Sequence, residues 1–248
     1  MARIRETGDL VFWYRPRADV DSVRGPDDVA RLYMVLEPAG RAIFRRVTVG
    51  RKRLPDVGAH ERTWGFVDLV TSRPEAVADE LDSETYETRT RGVRVAPPAR
   101  PAGEAGYAIV EHDGHTHLVH VLELPEAPGP VQHGLGIHKE MSMIVTVRNP
   151  EGDAPPAAGL PPGRRARYPE ELQKLFGTRR FAPLDPPEFL DHPGTELVLI
   201  AASDDPRSEL GIELPPGREP PEPADLLSHL GVEPGEHPLG PLLAGRWE

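Results

Sequence analysis

The 248-residue chain contains no cysteine. Disulfides, thiol nucleophiles and thiolate metal sites are therefore excluded. A chain that does without disulfides is expected in a reducing compartment, the cytoplasm. Long hydrophobic runs are missing too. The longest is 197–202, far short of the roughly 20 residues a membrane helix needs, so no membrane partner is expected. The N-terminal MARIRETGDLVFWY holds only a short apolar run, at 10–14, which is too brief for the core of a signal peptide. Lysine is nearly absent, at Lys52, Lys139 and Lys174 only, so arginine supplies almost all of the positive charge. Serine is scarce, which makes a serine nucleophile a poor expectation. There is no Gly-x-Gly-x-x-Gly, no phosphate-binding P-loop, no Gly-x-Ser-x-Gly and no His-Glu-x-x-His. No motif marks the chain as an enzyme.

What is present is globular in character. Hydrophobic residues make up 38% and charged residues 28%, with a mean hydropathy of −0.45. The net charge of −11 repels polyanions from the molecule as a whole, so any nucleic-acid role requires a local basic patch. Thirty prolines punctuate the chain, with dense stretches at 96–101, 154–163 and 214–223. They divide it into a first unit at 1–100, a second at 103–205 and a Pro-rich connector with a helical tail at 206–248.

Local patterns predict strands at Leu10–Tyr14, Tyr33–Glu37, Arg41–Gly50 and Trp64–Val70, with a hairpin turn at Pro38-Ala39-Gly40. Short helices are expected at Pro26–Leu32 and after Ser72, where Ser72 and Glu75 have capping-box spacing. Thr85–Val95 reads as a strand. In the second unit, Tyr107–Glu111, Thr116–Leu124, Met141–Arg148 and Leu197–Ala202 read as strands, with Asp113-Gly114 a tight turn. Further helices are expected at Tyr168–Phe176 and Asp225–Leu230. Tyr33-Met-Val-Leu-Glu37-Pro-Ala-Gly40 aligns with Tyr107-Ala-Ile-Val-Glu111-His-Asp-Gly114, as if a β-hairpin–α-β unit were duplicated. The expected fold class is α+β: mostly antiparallel sheets with a few short helices.

Two clusters carry the chemistry. Arg41, Arg45, Arg46, Arg51, Lys52 and Arg53 crowd into one hairpin, with Arg62 nearby, reversing the sign of charge in an acidic chain. Guanidinium groups suit phosphate and carboxylate, so the strip points to an acidic protein, a phosphorylated ligand or nucleic acid as partner, with no cofactor. The alternative is a solvated hairpin whose arginines pair with the chain's own acids. The second cluster is imidazole. A two-residue turn places His112 opposite His115, and strand alternation puts His117 on the face of His115. Three converging imidazoles can hold zinc or another divalent metal. Val110 and Val119 fall on that same face, which also fits the wet end of an ordinary hairpin. Asp185, Asp191, Asp204, Asp205 and Glu209 form a sparser acidic set, in which turns and caps account for Asp204 and Asp205. The rings of Phe12-Trp13-Tyr14 and Trp64-Gly65-Phe66 read as core.

Overall fold

The first strand, β1, runs Arg3–Pro16 and is apolar on both faces over its second half. Leu10, Phe12 and Tyr14 belong to one buried cluster, Val11 and Trp13 to another. A strand buried on both sides needs a layer of structure on each, and a computed structural model of the chain shows what the two layers are. It describes all residues except 19, 21, 89–91, 153–158, 213–229, 231, 233–236 and 248.

After β1, the chain forms β2 (Val29–Pro38), β3 (Phe44–Val49) and β4 (Arg62–Thr71), then helix α1 (Pro74–Leu81) and a small separate hairpin, β5 (Glu84–Thr88) with β6 (Gly92–Ala96). The long strands β7 (Arg100–His112) and β8 (His115–Leu124) follow, then α2 (Pro130–Leu135), β9 (Glu140–Arg148), α3 (Glu170–Lys174), β10 (Phe181–Pro183), β11 (Glu196–Ser203) and α4 (Pro206–Leu210). A last short helix spans Gly240–Ala244.

The strands pair in the order β9-β11-β4-β3-β2-β1-β7-β8, and β8 pairs back onto β9. Every one of these pairings is antiparallel, and the return of β8 to β9 closes the sheet into an eight-stranded barrel. β8 covers the first half of one edge of β9, and β10 covers the rest at Thr146–Arg148. Inward positions alternate along each strand: Leu32, Met34 and Leu36 on β2, Val145 and Val147 on β9, Leu197 and Leu199 on β11. These side chains fill the barrel as a packed core, as expected at this strand number.

This corrects the expected α+β class. The molecule is mostly β, a closed antiparallel barrel with only a few short helices. Its closure depends on β8–β9 and β4–β11, pairs that local pattern cannot reveal. The duplicated unit is corrected as well. Tyr33 packs on the outer wall with Val35, whereas its supposed counterpart Tyr107 points into the barrel. One-residue offsets exchange faces in a strand, so the aligned segments do not occupy equivalent places. Four neighbouring strands of the single ring, β4-β3-β2-β1, come from the first segment, and the other four, β7-β8-β9-β11, come from the second.

Smaller expectations fare variously. The predicted strands and the Asp113-Gly114 turn are present, the turn with φ of 50° and 79° at its two residues. Residues 26–28 form one 3₁₀ turn, and β2 begins at Val29 where a helix was expected. α1 is capped at Arg73 without a side-chain acceptor, so Ser72 does not serve. Thr85–Val95 splits into β5 and β6. The helix expected at 225–230 lies outside the described residues, apart from Leu230.

The outer layer has two parts. Val77 and Leu81 of α1 cover Val11, Trp13, Tyr33, Val35 and Phe44 on β1–β3. Leu210 of α4 covers Ala108, Val110 and Val119 on β7 and β8. Trp64 and Phe66, read as core, stand instead on the outside of β4, half-exposed, their rings parallel within 15° at 6.3 Å. Among the described residues no helix is long and apolar enough to cross a membrane.

Candidate functional site: an arginine-lined cleft on the barrel wall

The hairpin arginines are bound to the chain's own acids. Arg45 shares the inward parity of Val47 and Val49 and is fully buried at one end of the barrel. Its Nε donates to Asp191 Oδ1 at 2.7 Å and its Nη1 to Glu6 Oε1 at 2.6 Å. The Tyr107 hydroxyl donates to the same Glu6 oxygen at 2.9 Å, and Arg41 Nη2 to Asp191 Oδ2 at 2.6 Å. Burial alone would lower the pKa of Arg45, but Glu6 and Asp191 outweigh it and hold the pKa above its ordinary value. Arg46 lies on the opposite face. It pairs with Asp68 and Glu80, each at 2.9 Å, and sits over the Tyr33 ring. Asp68 and Glu80 likewise overcome the effect of burial and raise its pKa. Arg51 and Arg53 both pair with Glu61. Lys52 donates to the Asp27 carbonyl at 3.5 Å. Arg62 is exposed on β4 and has no ion pair among the described residues.

The histidines meet only in part. His112 and His115 are register partners, as the turn requires, and the rings of His112 and His117 lie edge to face at 6.2 Å. His117 is buried under α4, with Nδ1 3.8 Å from Glu209 Oε1. Burial, with smaller help from His112 and His115, lowers its pKa against the pull of Glu209. His120 sits inside the barrel against Phe12. Its Nε2 lies 3.2 Å from the His138 carbonyl, and burial pushes its pKa down to about 4. Among the described residues no group of three or more His, Asp or Glu is disposed to hold a metal ion. The acidic set has local roles: Asp205 caps α4 by accepting from Ser208 N, and Asp185 pairs with Arg5.

A different set of cations lines a cleft of about 690 Å³ on the outer wall. Arg31, Thr48, Phe66 and Asp68 form the barrel side; Arg164, Arg165, Arg167 and His192 come from two loops laid over it. The loops are held firmly. Glu196 on the outer face of β11 accepts from Arg148 Nη1 at 2.7 Å and from Leu160 N at 2.5 Å, which fixes where the arginine segment begins. Ala166 N donates to Gly194 O at 3.0 Å, and Gly194 N donates to Val67 O at 2.7 Å. The Tyr168 hydroxyl lies 2.9 Å from Thr195 Oγ1. With Ala166 buried and Tyr168 anchored on Phe176 and Phe189, Arg167 between them is turned outward. Gly194 has φ of +89°, and a Cβ there would stand 2.3 Å from the Arg164 carbonyl. Only glycine allows the two loops to approach this closely.

The cleft's electrostatics differ from the hairpin's. Arg31, Arg164 and Arg167 make no ion pair among the described residues. Arg165 is spent on the carbonyls of Leu160 and Pro150. Among the described residues, Asp68 is the one carboxylate in the lining; it is offset by Arg46 and accepts from Thr48 Oγ1 at 2.5 Å. Partial burial lowers the pKa of His192, against the opposing charge of Asp191. Guanidinium groups stay charged at any working pH and present forked donors matched to phosphate and carboxylate.

The chain matches no protein-family model, no curated protein and no solved structure. The cleft was partly legible in the sequence: Gly163-Arg164-Arg165-Ala166-Arg167 is a second dense run of cations. Arg31, Phe66 and His192 have no such signal, because only the barrel's topology and the 192–194 turn bring them to that run.

Proposed function

We propose that the protein is a non-catalytic binding protein that holds a phosphorylated small ligand in the cleft between β2–β4 and the 160–167 loop. One observation carries this reading. Three arginines without carboxylate partners among the described residues converge on a single concavity, while most arginines of the hairpin are neutralised by carboxylates. A volume of about 690 Å³ falls in the range of small-molecule sites, which is roughly 300–1,000 Å³. Concavity favours a small ligand over an acidic protein surface or a polynucleotide, which need broad contact. Such a ligand and a cysteine-free chain both suit the cytoplasm.

Titration calorimetry with inorganic pyrophosphate at two salt concentrations tests the reading. The wild-type protein is expected to bind, more weakly at high salt, and the double variant Arg164→Ala, Arg167→Ala to bind at least about tenfold more weakly. No detectable binding by the wild-type protein would overturn the proposal, as would equal binding by the double variant.

A further inference from the structure

The cleft has an aromatic wall as well as cations, and this says more about the ligand. Phe66 lines it beside Thr48 and Asp68. A half-exposed phenyl ring on the outside of a barrel is apolar surface that the fold leaves uncovered. One side of it is taken: Trp64, two residues earlier on the same face of β4, is stacked on Phe66, and Trp64 in turn meets Phe181 at 6.4 Å. Trp64 is not among the residues that line the cleft, so Phe66 is the ring of this pair that borders it. A flat ring entering there would extend an aromatic stack that already exists.

Resting on the reading of the cleft as an anion site, we infer that its ligand is a nucleoside phosphate, with the base stacked on Phe66 and the phosphate held by Arg31, Arg164 and Arg167. The ligand must combine a planar heteroaromatic ring with a phosphate at the far end of a short polar spacer, and a nucleotide has that composition. The cations lie on both sides of the concavity, Arg31 on the barrel and Arg164 and Arg167 on the loop, which suits a group with several anionic oxygens. Asp68, already offset by Arg46, retains acceptor capacity for a sugar hydroxyl or an exocyclic amine without repelling the phosphate. His192 supplies a hydrogen-bonding imidazole at the same site. Base stacking on an aromatic side chain tolerates any base, so selectivity among the four is expected to be weak.

The test compares AMP, ribose 5-phosphate and inorganic pyrophosphate on the full chain by titration calorimetry. AMP carries a base where ribose 5-phosphate carries the anomeric hydroxyl, so their ratio reads what the base adds, and variants at Phe66 isolate the stack. AMP is expected to bind about tenfold or more tighter than ribose 5-phosphate. Phe66→Ala, and Phe66→Leu with its apolar bulk kept, should remove that advantage and bring AMP down to the affinity of ribose 5-phosphate for the same variant. If the anions bind but AMP is no tighter than ribose 5-phosphate, the inference fails and the anion site stands. If the advantage survives both Phe66 variants, stacking there is likewise refuted. If pyrophosphate itself does not bind, the anion site fails first.

Discussion

The arginines of the β2–β4 hairpin region and those of the cleft are the same residue type on the same barrel, yet they have opposite circumstances. Arg45 is sealed in the barrel end between Glu6 and Asp191, and Arg46 is clamped by Asp68 and Glu80 on the outer wall. Arg31, Arg164 and Arg167 border a concavity and have no acid to neutralise them among the described residues. Density of charge along a chain therefore says little about charge available to a ligand. What decides is whether the fold delivers a carboxylate to each cation, and for β3 the acids come from β1, β4, α1 and the 187–191 turn. A buried pair of this kind contributes specificity of arrangement more than net stability, and removing one partner strands the other.

The contrast can be broken at either end, and the largest effect is expected at Arg45. Arg45→Met leaves Glu6 and Asp191 facing each other at a buried barrel end, and denaturant titration should show a loss of about 3–5 kcal/mol. Next comes a buried acid with the reverse problem. Glu104 Oε2 has no hydrogen-bond partner among the described residues, and burial, with Glu123 and Asp9 nearby, pushes its pKa up to about 7. Between the ordinary carboxylate range and pH 7 the folded chain holds a proton that the unfolded chain has released, so stability falls as pH rises through that window and levels off above it. Glu104→Gln should remove that slope, a difference of up to about 3 kcal/mol between pH 4.5 and pH 8 when the two proteins are compared by denaturation. Gly194→Ala follows, at about 1–3 kcal/mol, because it needs both a left-handed backbone and room the Arg164 carbonyl occupies. It should weaken pyrophosphate binding as well, by displacing the arginine loop. The smallest stability change belongs to Arg164→Ala, within about 0.5 kcal/mol, since nothing in the fold depends on that exposed side chain.

How much of this was readable beforehand follows the range of the interactions. Strands with local alternation were legible, as was the His112–His115 register, because a two-residue turn sets both. Barrel closure was not, since it pairs Ile144 with His117 and Trp64 with Val198, contacts that no window of sequence contains. Trp64 and Phe66 were misread as core because Gly65 and Val67 between and beyond them take the inward positions. Closure also determines the fate of the hairpin arginines: Asp191, distant in sequence, reaches Arg45 only across the finished barrel. Arg31 reaches the cleft for the same reason.

The most direct test sets the two groups of arginines against each other in one assay. Pyrophosphate affinity at low salt would be measured for Arg51→Ala with Arg53→Ala, which removes cations tied to Glu61, and for Arg31→Ala with Arg164→Ala, which removes cations with no carboxylate. The first variant should bind like the wild-type protein and the second at least about tenfold more weakly. Equal losses in both, or a loss confined to the first, would mean that pairing with internal acids does not govern which arginines this protein offers to a ligand.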